Sequence, residues 1–161
     1  MILINEDNIK EICEDIRQRF TIVAVSGYFD PPTPAHLTYF KAAKALGDVL
    51  IVILNTDEQL LKKRCGTRLE NRIRYSFVDR TLLLDEFRSV DVVVRAIDLD
   101  MSISETLRLV RPHIFAKGGD RPIESLPQAE LNACTDIACD IVTGIGSDKT
   151  HSSSWYDWED D

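Results

Sequence analysis

An α/β fold, doubly wound about a mostly parallel sheet of five strands, is what this sequence predicts, and three observations predict it. The strand-like runs are apolar throughout, as in TIVAVS, DVLIVIL and DVVVR, and a strand without polar alternation is one buried on both faces. Segments of helical spacing separate those runs, which implies crossover helices joining parallel neighbours. Finally, the 161 residues contain no repeat and no Ser, Gly or Pro-rich linker, so one domain spans 1–161. It comprises an N-terminal helix at about 5–20, a core at about 21–155 and a short acidic tail at 156–161.

Each element follows from local pattern. Ile9, Ile12, Cys13, Ile16 and Phe20 recur at helical spacing through 5–20, and the β-branched run 21–26 then ends at Gly27. A second helix over 36–46 carries Leu37, Phe40, Ala42 and Ala43, stops at Gly47, and hands over to a strand at 48–54. A helix over 71–84 precedes the strand at 91–95, and a helix over 102–110 follows it. Pro112 opens the strand at 113–117, and the last strand is expected at 140–143.

Composition narrows the function. At 44% apolar and 29% charged residues the chain lies in the ordinary globular range, which excludes a disordered or fibrous protein. Asp and Glu total 27 against 19 Lys and Arg, a net charge of −8 that opposes binding to nucleic-acid phosphates. The longest apolar runs fall far short of the roughly 18 residues of a membrane span, and no signal-like segment is seen, so the expected location is cytoplasmic. Cys13, Cys65, Cys134 and Cys139 lack C-x-x-C spacing, and His36, His113 and His151 complete no metal set. They read as reduced packing thiols, with no protein-held metal.

In doubly wound sheets ligands bind beyond the carboxyl ends of the strands, which directs attention to 27–36, 55–68, 117–121 and 144–154. In GYFDPPTPAH (27–36), Thr33 can cap a helix and Pro34 suits its first turn, which sets His36 at a helix N-terminus. Backbone N–H groups and the helix dipole favour an anion there, and an imidazole adds a directed donor; a well-made helix start explains the same residues. Lys62, Lys63, Arg64, Arg68 and Arg72 place five cations within eleven residues of an acidic chain. A solvated helix face is one account and phosphate contact is the other, with Lys63 and Arg72 the leading candidates. Asn55-Thr56-Asp57 is open between a cap and an acceptor contact, and Lys117-Gly118-Gly119-Asp120 between a tight turn and a flat surface for base or ribose. The segment 144–150 mimics a phosphate-binding P-loop, but Asp148 precedes its lysine and the register is one residue short.

Taken in order, these motifs are specific. GYFDPPTPAH resembles the G-x-F-D-x-x-[HT]-x-G-H signature of the cytidylyltransferase-like nucleotidyltransferase superfamily. The resemblance continues through AKALGD (43–48), LNTDE (54–58), Arg72 of ENR, KGGD (117–120) and the serines 152–154, and so covers about 21–155. The KGGD form is most like the heptose-1-phosphate adenylyltransferase domain, with glycerol-3-phosphate cytidylyltransferase a further relative. The resemblance implies a Rossmann-like sheet and transfer of CMP or AMP from CTP or ATP to a small phosphorylated sugar or polyol. Pyrophosphate release, Mg²⁺ as cofactor and a homodimer belong to the same implication.

Carried onto this chain, the family pattern assigns catalysis to His36, Thr33, Lys63 and Arg72, and acceptor binding to Asp57 and Arg68. It assigns nucleotide binding to Tyr28, Phe29, Asp30, Lys44, Lys117, Gly118, Gly119, Asp120, Ser152, Ser153 and Ser154. Two positions depart from it: Thr33 stands where many members have His, and Ala35 where Gly is usual. Together with the expected short C-terminus after the serines, they motivate the alternative of a nucleotide-binding module without turnover. A phosphate monoester is largely dianionic at neutral pH and attacks without a general base. The lack of a Ser-His-Asp set is therefore expected, and catalysis reduces to positioning and charge stabilisation.

Overall fold

A computed structural model describes residues 1–119 and 121–146. Its sheet is wholly parallel and has the order β1-β4-β3-β2-β5-β6. The strands are β1 (Ile2–Leu3), β2 (Ile22–Gly27), β3 (Val49–Leu54), β4 (Val92–Arg95), β5 (Ile114–Gly118) and β6 (Asp140–Ile145). The helices are α1 (Glu6–Arg19), α2 (Pro34–Lys44), α3 (Asp57–Arg64), α4 (Phe77–Asp85), α5 (Ser104–Val110) and α6 (Gln128–Asp136). A 3₁₀ turn at Ile123–Ser125 precedes α6.

The sheet thus has six strands rather than the five expected. The added strand is β1, in which Ile2 and Leu3 pair with Val93 and Val94; two residues are too few to establish a period. The helix expected over 71–84 starts only at Phe77, because Ser76 caps it by accepting the amide of Asp79. The helices α3 and α6 were not anticipated. The first is mostly charged, and what starts it is a capping box in which Thr56 accepts from the Gln59 amide while Gln59 Oε1 accepts from the Thr56 amide.

Alternation along the strands explains why they are apolar throughout. Ile22, Ala24, Ile51 and Ile53 point into one core with Ile9 and Cys13 of α1, Leu107 of α5 and Ala133 of α6. Val23, Val25, Leu50 and Val52 point into the other with Phe40 and Ala43 of α2 and Leu84 of α4. Both faces are covered, so the central residues of these strands need apolar side chains, and polar ones such as Ser26 and Lys117 come at the carboxyl ends. From β2 the chain leaves over the α2 face toward β3, and from the adjacent β5 over the α6 face toward β6. The two crossovers part at the β2–β5 seam and open a crevice at its carboxyl end.

Candidate functional site

That crevice is a cleft of about 810 Å³, a volume suited to a nucleotide-sized ligand. Ser26 and Gly27 at the end of β2, Lys117, Gly118 and Gly119 at the end of β5, and Ala35 and His36 at the start of α2 line it. Lys63, Arg64, Thr67, Arg68 and Leu69 enclose one side, while Met101, Ile103, Pro127 and Glu130 enclose another. Lys63, Arg64, Arg68, Lys117 and Arg121 outnumber the two lining carboxylates, Asp30 and Glu130. A protein of net charge −8 therefore concentrates positive charge at this point.

The loop after β2 holds the histidine. Phe29 adopts a left-handed backbone, φ 47°, which folds its buried ring back over Gly27. A Cβ at Gly27 would come within 2.8 Å of that ring, so the residue must be glycine. The Phe29 ring then meets His36 edge-on at 4.8 Å and Phe40 at 5.3 Å. His36 Nδ1 accepts the backbone N–H of Thr33 at 2.8 Å, and Thr33 Oγ1 lies 3.2 Å from the same nitrogen. With Nδ1 accepting, the neutral ring carries its proton on Nε2, a donor at the N-terminus of α2. Thr33 is buried and is not among the residues lining the cleft; its contacts orient the His36 ring. Ala35 lies in the first turn of α2 with no positive φ, where a Cβ is accommodated.

At the end of β5, the Lys117 ammonium donates to Ser26 Oγ at 3.3 Å and lies 4.7 Å from the Phe115 ring centroid. Burial lowers its pKa, opposed by attraction to Glu130. Glu130 is shifted upward by burial, opposed by Lys117 and Arg121. On the other face Tyr39 donates to the Ala116 carbonyl at 2.6 Å, and burial raises its phenol. Its ring closes on Gly118, where a Cβ would be 3.1 Å away, and Gly119 has φ 65°. The glycine pair thus has a steric reason and presents a side-chain-free surface to the cleft.

Several expected site residues serve the scaffold. Asp30 is fully buried: Oδ2 accepts from Arg64 Nη1 and the Arg74 amide, both at 2.8 Å, and Oδ1 from the Tyr75 amide at 2.6 Å. Its carboxylate is committed to holding 72–76 against the loop. Asp57 is not among the residues lining the cleft; it pairs with the buried Arg80 at 2.7 Å and accepts the Phe77 amide at 3.1 Å. Lys44 is displaced from the site altogether. It bonds Asp91 and the Asp48 carbonyl, residues at the amino ends of β4 and β3, the edge of the sheet remote from the cleft. Arg72 is exposed and outside the cleft lining, and its carbonyl receives Arg64 at 2.6 Å.

Of the remaining expected residues, Tyr28, Phe29, Lys63 and Arg68 line the cleft with His36, Lys117, Gly118 and Gly119, and the Lys63 ammonium lies 4.3 Å from the Tyr28 ring centroid. Asp120, Ser152, Ser153 and Ser154 lie outside the described residues. Tyr39, Arg80 and Glu130 went unrecognised in the sequence. Arg80, with no exposed surface, donates to the carbonyls of Tyr28, Asn55 and Tyr75 and so joins three loops beneath the cleft. No local pattern marks it, because most of its partners, the Tyr28 and Asn55 carbonyls and the Asp57 carboxylate, are distant in sequence.

A parallel sheet with a basic crevice at its switch point, and a histidine donor on the first crossover helix, defines a nucleotide-binding α/β domain of the Rossmann type. The chain belongs to the cytidylyltransferase-like family, whose model matches residues 24–160. It is 35% identical over 123 residues to the bifunctional protein HldE of Methylococcus capsulatus, covering 76% of this chain and 23% of that protein. With the bifunctional protein HldE of Marinomonas sp. it shares 36% identity over 109 residues, 68% of this chain and 22% of the other. The chain thus spans less than a quarter of the length of these relatives. Among solved structures it resembles the lipopolysaccharide core biosynthesis protein from Thermoplasma volcanium, with a TM-score of 0.64 and 26% identity over 80% of this chain and 99% of that one. The pantoate-beta-alanine ligase from Francisella tularensis shares the fold at a TM-score of 0.56 and 13% identity, covering 95% of this chain and 72% of the other.

Proposed function

We propose that this chain is a nucleotidyltransferase that moves AMP or CMP from ATP or CTP onto the phosphate of a small sugar or polyol phosphate, releasing pyrophosphate. The observation that carries the reading is His36, whose Nδ1 is occupied by the Thr33 amide so that Nε2 presents a proton at the α2 N-terminus. An acceptor phosphate oxygen attacks the α-phosphorus in line, the bond to the β-phosphate oxygen breaks, and pyrophosphate leaves with that electron pair. His36 Nε2–H would stabilise charge on the α-phosphate, and Lys63 and Arg68 charge on the flanking phosphates. The glycine surface at 118–119, backed by Tyr39, would take the base or ribose. The KGGD form and the HldE relatives favour ATP and a sugar phosphate over the alternatives.

Among the described residues no group of three His, Cys, Asp or Glu side chains could hold a metal. The donor set therefore suits Mg²⁺ carried by the triphosphate, through phosphate oxygens and water, where it would neutralise phosphate charge.

The test is titration with ATP and with CTP in Mg²⁺, followed by pyrophosphate release with heptose 1-phosphate, hexose 1-phosphate and glycerol 3-phosphate. Turnover with one of them, reduced at least about tenfold in His36→Ala, is the expected result. Nucleotide binding without pyrophosphate release from any acceptor would favour the rival reading, a nucleotide-binding module. Of the grounds for that rival, Thr33 and Ala35 have ordinary places at the start of α2.

A further inference from the structure

The side of the cleft under α6 carries a group that nucleotidyl transfer as described does not use. Glu130 is 5% exposed and lines the cleft, yet its carboxylate makes no hydrogen bond or ion pair among the described residues. Among the described residues no fully enclosed side-chain oxygen lacks a partner, so the Glu130 oxygens keep some exposed surface, and the cleft that the residue lines lies beside them. A carboxylate withdrawn from bulk water at the wall of a binding cleft is costly unless a ligand supplies donors.

Its surroundings say which donors. Side chains alternate along β2 and β5, so Ser26 and Lys117 point toward the α6 face while Gly27 and Gly118 meet Phe29 and Tyr39 on the α2 face. The α6 side of the cleft therefore presents a hydroxyl, an ammonium and a carboxylate beside the apolar Met101 and Ile103. A phosphate would be repelled by Glu130 and better held by His36, Lys63 and Arg68. Vicinal hydroxyls, which donate to a carboxylate and accept from an ammonium, match the set.

We propose that Glu130 is a specificity-determining residue that accepts hydrogen bonds from hydroxyls on the acceptor's polyol body, beside Lys117. The assignment rests on the nucleotidyltransferase reading and refines its substrate class: the acceptor is a neutral polyhydroxylated phosphate, and one bearing a carboxylate beside its phosphate is excluded.

The experiment is steady-state pyrophosphate release by the wild type, Glu130→Gln and Glu130→Ala, using Mg²⁺, the preferred nucleotide, and heptose 1-phosphate, hexose 1-phosphate, glycerol 3-phosphate or 3-phosphoglycerate. Nucleotide affinity is titrated separately for each protein. The acceptor KM should rise about tenfold or more in Glu130→Ala and less in Glu130→Gln, while nucleotide affinity stays within about twofold. The carboxylate-bearing 3-phosphoglycerate should be refused by the wild type. An unchanged acceptor KM would overturn the proposal, and so would nucleotide affinity falling as much as acceptor affinity, which would place Glu130 on the nucleotide. Wild type that binds nucleotide but turns over none of the neutral polyol phosphates would overturn the acceptor class and the role of Glu130 together. Failure to bind either nucleotide would strike the nucleotidyltransferase reading itself.

Discussion

The imidazole of His36 has its Nδ1 engaged by the Thr33 amide, and this separates two substitutions. In His36→Asn the side-chain oxygen can replace Nδ1 and keep the Thr33 bond, so stability should hold while turnover falls at least about tenfold. His36→Ala removes the cap as well as the donor, so it should lose turnover and about 1 kcal/mol of stability. Thermal unfolding and pyrophosphate release on the same preparations distinguish them. Asp30 behaves in the opposite way. Asp30→Ala removes the carboxylate that faces the buried Arg64 and accepts the Arg74 and Tyr75 amides, and denaturant unfolding should show a loss of about 3–5 kcal/mol. Lys44→Ala should leave pyrophosphate release unaltered, because that lysine bonds Asp91 at the far edge of the sheet. These residues show what a motif conveys. The string GYFDPPTPAH names Asp30 and His36 alike, but only the fold reveals that one carboxylate is committed to an arginine 34 residues later.

At the scale of elements, the end of β2 sets the loop that follows. In Gly27→Ala the added methyl would meet the Phe29 ring at 2.8 Å, and a displaced ring no longer supports His36. The expected result is a fall in turnover larger than any fall in nucleotide affinity, read by kinetics and titration together. The other end of β2 is held by His113, which donates its amide to the Ile22 carbonyl at 3.0 Å and accepts the Ile22 N–H on Nδ1 at 2.9 Å. Burial, then Arg17, lowers the His113 pKa, so the folded protein takes up this proton less readily than the unfolded chain. Stability from this group is present above the ordinary histidine value and is lost as pH falls through the lowered one. Melting curves across that range should show an acid-side loss that His113→Asn, which keeps an acceptor and cannot titrate, reduces. Apolar runs and Gly or Pro stops made β2 to β6 legible in sequence. By contrast α3 starts from a capping box within a charged segment, and β1 has two residues whose pairing comes from β4.

Across the whole molecule, the legible part is the sheet and the segments at its carboxyl edge; the illegible part is their arrangement about the cleft. Composition gives net negative charge, yet Lys63, Arg68, Lys117 and Arg121 come from α3, the turn after it, β5 and the loop after β5 and meet at one crevice. Glu130 enters the same crevice from α6, and no spacing rule relates it to Lys117 or Ser26. The seam that makes the site also has a consequence for how the chain acquires it. Residues of β2 and β3 that pair lie 27 apart, as Ile22 with Val49, whereas those of β2 and β5 lie 91 apart, as Val23 with Ile114. Closing the longer loop is entropically more demanding and depends on more of the sheet being in place. In a refolding time course, helical signal should therefore recover before the ability to capture a fluorescent nucleotide, which should return only in the final kinetic phase.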